Sequence, residues 1–132
     1  MSKFFIYFII ISLFQINISN SEIINKIEIE GNNRVSVKSI ILFSDVDINQ
    51  NIDSNDLNTI LKNLYNTNFF ENITIDFKNN ILSINVSENP IIQNLEINGV
   101  KDKIKDQLIK KLKLRNKSSY VNSFATQDLN LV

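Results

Sequence analysis

Residues 71–86, Glu-Asn-Ile-Thr-Ile-Asp-Phe-Lys-Asn-Asn-Ile-Leu-Ser-Ile-Asn-Val, alternate apolar and polar side chains on both sides of an Asn-Asn pair. Alternation at period two marks a strand with one buried face. Ile73, Ile75 and Phe77 therefore share a face with Leu82, Ile84 and Val86, while Asn72, Thr74 and Asp76 point the other way. Asn tolerates the positive φ that tight turns need, so Asn79-Asn80 closes the two runs into a β-hairpin.

Upstream the period changes. Leu57, Ile60, Leu61, Leu64 and Tyr65 fall at i, i+3, i+4, i+7 and i+8, an amphipathic helix that Asp53 or Ser54 can cap. Before it, Ser36 can cap a shorter helix with Val37, Ile40, Ile41 and Ser44 on one face, and 45–51 reads as a polar connection. Earlier still, Ile27-Glu28-Ile29-Glu30 alternates as a strand and stops at Gly31-Asn32-Asn33. The order is β-α-α-β-β, an α+β domain of two layers in which both helices cover one face of a small sheet. Leu61→Ala is expected to cost about 2–5 kcal/mol if Leu61 lies in the core.

The pattern then begins again. Ile91-Ile92-Gln93-Asn94-Leu95-Glu96-Ile97-Asn98-Gly99 repeats Ile23-Ile24-Asn25-Lys26-Ile27-Glu28-Ile29-Glu30-Gly31 at an offset of 68 residues. Letter matching of Ser54-Asn55-Asp56-Leu57-Asn58 with Thr126-Gln127-Asp128-Leu129-Asn130 sets the offset at 72 there, which predicts a loop longer by four residues. On this reading 22–90 is a complete unit and 91–132 an incomplete second copy, cut short inside its second helix. The second segment is expected to be less ordered than the first if made alone.

At the N-terminus, Lys3 precedes Phe4–Phe14, an 11-residue run in which only Ser12 is polar. That suits the apolar region of a signal peptide and falls short of the ~20 residues of a membrane-spanning helix. Ser19-Asn20-Ser21 offers small residues for cleavage before Glu22. Residues 1–21 are accordingly expected to be a signal peptide, and the rest of the chain exported.

Composition excludes much chemistry. The chain has no Cys and no His. Disulfides, thiolate nucleophiles and zinc–thiolate clusters are ruled out, and the commonest general base is missing. No cofactor, no metal and no catalytic residue is expected, and no spacing supports a secreted hydrolase. Charge is uneven: 22–90 holds 5 basic and 10 acidic side chains, net −5, while 91–132 holds 8 basic and 4 acidic, net +4. The basic excess is expected on the solvated face of a helix with Ile104, Leu108 and Leu112 inward. No nucleic-acid partner is expected.

Three stretches carry a family resemblance: Ile27-Glu28-Ile29-Glu30-Gly31-Asn32-Asn33-Arg34-Val35, Leu64-Tyr65-Asn66-Thr67-Asn68-Phe69-Phe70-Glu71-Asn72-Ile73, and Val86-Ser87-Glu88-Asn89-Pro90-Ile91-Ile92. The sequence resembles the repeated polypeptide-transport-associated (POTRA) domains of the BamA family of outer-membrane protein assembly factors. The resemblance implies a first POTRA-type domain over 22–90 and an incomplete one over 91–132, at the periplasmic face of the bacterial outer membrane. It implies unfolded outer-membrane proteins as clients, accessory assembly lipoproteins as partners, and membrane association through a β-barrel that this sequence does not contain. A similar domain in a secretion transporter or a membrane-anchored division protein is the alternative.

A small sheet has edges, and an edge strand can pair with an extended client. Glu71, Asn72, Thr74 and Asp76 mark the candidate client-binding strand; Phe69, Phe70 and Arg34 are candidate docking residues. Proline at Thr74 is expected to abolish pairing if the Thr74 N–H points outward.

Overall fold

The computed structural model describes residues 22–131. The signal-peptide expectation for 1–21 lies outside the described residues. In chain order the first segment contains β1 (Glu22–Ile23), β2 (Lys26–Glu30), α1 (Val37–Ser44), β3 (Asn51–Ile52), α2 (Ser54–Asn66), β4 (Phe70–Lys78) and β5 (Ile81–Glu88). The fold is α+β.

β4 and β5 form the expected hairpin, with Lys78 opposite Ile81 and Ile73 opposite Val86. Asn79 and Asn80 both have positive φ, 52° and 65°. This is the turn whose twist matches that of the strands it joins. β2 pairs in parallel with β5, from Lys26 opposite Ile81 to Glu30 opposite Asn85, so the strand order is β2-β5-β4. The last strand in sequence is thus the central one. β1 and β3, two residues each, make a separate antiparallel pair that joins the start of the segment to the end of the 45–51 connection.

Both helices are capped by the residues expected. The Ser36 hydroxyl accepts the Ser39 N–H. Asp53 accepts the N–H groups of Asn55 and Asp56, while the Asp56 carboxylate accepts the Asp53 N–H, a reciprocal capping box. The N–H groups of Asp56 and Asn55 hold the Asp53 carboxyl below its usual pKa.

Ile40, Ile60, Leu64, Ile73, Leu82, Ile84 and Val86 are buried together, with Ile24, Val46, Ile52 and Phe70. Ile27, Ile29, Ile75 and Phe77 pack against them from the two outer strands. Leu61 is only half-buried, at the margin of this core, whereas Leu64 is fully buried. The larger truncation cost therefore moves one position along the helix. Leu64→Ala is expected to lower the unfolding free energy by about 2–5 kcal/mol, and Leu61→Ala by less. Urea denaturation of the two variants checks the order; equal losses would contradict the packing described.

The second segment, with α3 (Asp102–Lys111) and α4 (Asn122–Leu129), repeats several main-chain bonds of the first. Ile24 N–H donates to Gln50 O at 2.9 Å, and Ile92 N–H to Ser118 O at 2.9 Å. Asn49 N–H donates to Ile24 O at 2.7 Å, and Lys117 N–H to Ile92 O at 2.7 Å. The bridge between Ile91 and Ser119 matches the pairing of Ile23 with Asn51. Asn49 and Lys117 share positive φ, as do Gly31 and Gly99.

Every one of these pairs is offset by 68, and so is the start of the second helix, Ser54 against Asn122. The four-residue-longer loop inferred from letter matching is therefore wrong. At the true offset Val121 replaces the capping Asp53, and α4 has no side-chain cap. Asp128 then stands where the first segment has the core residue Ile60. It is 6% exposed and accepts the N–H groups of Lys113 (2.8 Å) and Leu114 (2.8 Å), which tie α4 to the chain leaving α3.

In α3, Leu112 at the C-cap is buried and Leu108 half-buried, but Ile104 is 48% exposed rather than inward. Among the described residues of the second segment, Leu112, Leu114 and Asp128 are buried.

Candidate functional site

A sheet ordered β2-β5-β4 exposes β2 and β4 as edges. In a two-residue hairpin the residues flanking the turn exchange both hydrogen bonds, and the pattern alternates from there. Lys78, Asp76 and Thr74 therefore turn their main-chain groups towards β5. Ile73, Ile75 and Phe77 turn theirs to the open side. One bond supports this parity directly: the Ile73 N–H donates to the Tyr65 hydroxyl at 3.2 Å, away from β5. Tyr65 thus closes the start of the edge and leaves the N–H and C=O groups of Ile75 and Phe77 facing outward.

The four residues marked for client binding are all exposed. Asn72, Thr74 and Asp76 lie on the sheet face away from the helices. Glu71 is the extra residue of a bulge between Phe70 and Asn72, where the ladder with β5 shifts register. Asp76 pairs with Lys78 at 2.7 Å on that exposed face. Their side chains flank the open edge, whereas the pairing groups belong to the apolar residues between them. Proline at Thr74 would accordingly remove a bond to β5, not an outward donor.

The docking candidates separate. Phe70 is 3% exposed and part of the core, which removes it from any docking surface. Phe69 is 39% exposed, its ring 5.7 Å from that of Phe43 and 6.4 Å, edge-on, from that of Phe70. Arg34 donates from Nε to Glu88 Oε2 at 2.9 Å and from Nη2 to the Asn89 carbonyl. It therefore serves the first segment's own architecture.

Glu88, which the sequence did not single out, organises this corner. Its Oε1 accepts the N–H groups of Asn33 (2.8 Å), Arg34 (2.9 Å) and Val35 (2.9 Å). Its side chain is 5% exposed. Burial pushes the carboxyl pKa up, but the three N–H donors and the Arg34 guanidinium outweigh it and hold the group below its usual range. The end of β5 is thereby fastened to the turn after β2. Asn89 continues the joint, with its amide donating to Asn68 O at 3.0 Å and its N–H to Phe69 O at 2.8 Å.

Among the described residues no helix is long and apolar enough to cross a membrane, and no group of three or more acidic side chains converges as a metal site. No family model matches the chain. Two curated proteins do, both named outer membrane protein assembly factor BamA. That of Neorickettsia risticii (strain Illinois) is 33% identical over 76 residues, 58% of this chain and 10% of the relative. That of Buchnera aphidicola subsp. Acyrthosiphon pisum (strain APS) is 26% identical over 125 residues, 92% of this chain and 20% of the relative. Each is named for assembly, and neither name is that of an enzyme. The chain is thus similar to two BamA outer membrane protein assembly factors, of whose own length the matched stretches make up 10% and 20%.

Proposed function

We propose that residues 22–90 form a POTRA-type domain, with 91–132 belonging to a second, and that they serve outer-membrane protein assembly from the periplasmic side without catalysis. Unfolded outer-membrane proteins are the clients, and accessory assembly lipoproteins are neighbours for which Phe69 offers an exposed ring. The observation that carries this reading is the open edge of β4. Main-chain groups of Ile75 and Phe77 face outward there, framed by polar side chains that solvate the face without covering the edge. Backbone pairing at such an edge gives affinity with little demand on the sequence of the client. That suits a module handling many barrel precursors.

The test is crosslinking of a urea-denatured outer-membrane barrel protein, diluted onto the chain, to a photoreactive group at Asp76. Ile75→Pro removes one outward N–H and is expected to reduce crosslinking by about tenfold, since an edge tolerates proline only where its own bonds are not needed. Ile75→Ala, which keeps the N–H, is expected to retain it. Undiminished crosslinking in an Ile75→Pro chain that still unfolds cooperatively would exclude the β4 edge as the client site.

A further inference from the structure

Tyr65 sits in the last turn of α2, and the chain reverses at once behind it. The Thr67 hydroxyl donates to Leu64 O at 2.6 Å and accepts the Phe69 N–H at 3.2 Å, while Asn68, at φ 59°, donates its N–H to Tyr65 O at 3.0 Å. So tight a reversal lays the start of β4 beside the helix end it has just left. Tyr65, 39% exposed, therefore reaches the open side of β4, where its hydroxyl accepts the Ile73 N–H at 3.2 Å.

Ile73, Ile75 and Phe77 are the residues whose main-chain groups the hairpin parity turns away from β5, and Tyr65 occupies the first of the three. A phenol oxygen bonded to that N–H stands where the carbonyl oxygen of an added strand would lie. The ring behind it obstructs the same approach. Tyr65 also lines, with Phe70 and Glu71, a cavity of about 450 Å³ shared with Tyr120 and Ser123 of the second segment. A strand that continued past Ile73 would run towards this cavity, at the joint where the Tyr120 N–H donates to Pro90 O at 2.7 Å and the Asn89 amide to Asn68 O at 3.0 Å.

We propose that Tyr65 is a register stop: it confines an added client strand to Ile75 and Phe77 and keeps it out of the joint between the two segments. This rests on the β4 edge being the client site, and adds how much of that edge is used. Against an antiparallel client, Ile75 and Phe77 each exchange both main-chain bonds with the residue opposite, whose side chain lies on the helix side of the sheet. Both are half-buried at the margin of the core, so an apolar client residue opposite each extends that margin. The occupant is a short extended stretch of an unfolded barrel protein with apolar residues at two alternate positions, the pattern that a membrane-barrel strand carries. Tyr65 sets where its pairing ends.

The test places a photoreactive group at Asp76 or at Asn72, which flank the open and the stopped parts of the edge, and crosslinks a urea-denatured barrel protein diluted onto the chain. Asp76 is expected to crosslink about tenfold more than Asn72, the difference that the missing bonds at Ile73 would make. Tyr65→Leu keeps an apolar, helix-forming side chain and removes the hydroxyl and outer ring. In it, crosslinking at Asn72 is expected to rise to the level of Asp76, whereas a purely structural Tyr65 would weaken both positions together. Tyr65→Phe, the milder change, is expected to speed amide exchange at Ile73 about tenfold in the free chain while Ile75 stays unchanged. Equal crosslinking at the two positions in the unaltered chain would overturn the stop and leave the edge reading intact. So would Asn72 crosslinking that Tyr65→Leu does not raise, or Ile73 exchange that Tyr65→Phe does not change. No crosslinking at either position would remove the β4 edge itself, and the stop with it.

Discussion

Gly31→Ala is expected to cost about 2–5 kcal/mol, enough to unfold much of the first segment under native conditions, whereas Gly99→Ala is expected to cost only about 1–2 kcal/mol. Both glycines hold left-handed backbone, φ 81° and 83°, so the conformational penalty of an L side chain is common to the two. Only at Gly31 does the new Cβ also collide with β5, overlapping the Val86 carbonyl oxygen and lying 3.2 Å from its carbon. Backbone at the centre of a sheet cannot swing aside as a side chain can. The collision must part β2 from β5 or distort both, adding about 1–3 kcal/mol of overpacking strain. For a unit of this size, total stability is about 0.05–0.15 kcal/mol per residue, so the larger loss is comparable with the whole. Urea unfolding followed by exchange at β5 amides gives the comparison. Equal destabilisation by the two substitutions would mean that close approach to β5 is not what fixes glycine at 31.

Much of the first segment is legible in sequence because its elements carry strong local signals. The hairpin has alternation on both sides of a two-residue turn, and α2 has both a capping box and five apolar residues at helical spacing. The parity of the β4 edge was legible as well. Lys78 and Ile81 flank a two-residue turn and must exchange hydrogen bonds, which fixes the outward residues as Ile73, Ile75 and Phe77 rather than Thr74. β1 and β3 were not legible, since two residues cannot display a period. The misplaced offset has a physical origin too. Four residues is close to one helical turn, so sliding α4 by four leaves its apolar face nearly where it was. Periodicity cannot detect such a slip, and the coincidence of Asp56-Leu57-Asn58 with Asp128-Leu129-Asn130 then decided wrongly. What exposes it is non-local: the Ile91–Ser119 bridge and the Lys117 to Ile92 bond. Glu88 was invisible for the same reason, because its partners lie more than fifty residues away in sequence.

Glu88→Ala is expected to destabilise the first segment by about 2–4 kcal/mol, and Glu88→Gln by about 1–2 kcal/mol, the 45% exposure of the Arg34 side chain keeping the loss below that of a fully buried pair. Alanine leaves the N–H groups of Asn33, Arg34 and Val35 without their acceptor and the Arg34 guanidinium without its counter-charge. Glutamine restores a neutral oxygen but not the charge that makes each of those bonds strong. The same carboxylate makes stability depend on acid. Its pKa in the folded chain lies below the ordinary value of 4.5, so the unfolded chain takes up the proton first. The stabilisation is therefore complete above about pH 4.5 and is lost as pH falls through the folded value. Asp53, also held below its ordinary value, adds to the acid limb from a lower starting point. Glu88→Gln should consequently flatten, without abolishing, the fall in urea midpoint between neutral and acid pH. An unchanged fall would remove Glu88 as its source. Because Arg34 also donates to the Asn89 carbonyl, and Asn89 in turn holds Asn68 and Phe69, the loss should spread to the start of β4. Amides at Phe69 and Phe70 are then expected to exchange faster in Glu88→Ala while those of the Asn79-Asn80 turn, at the far end of the hairpin, do not.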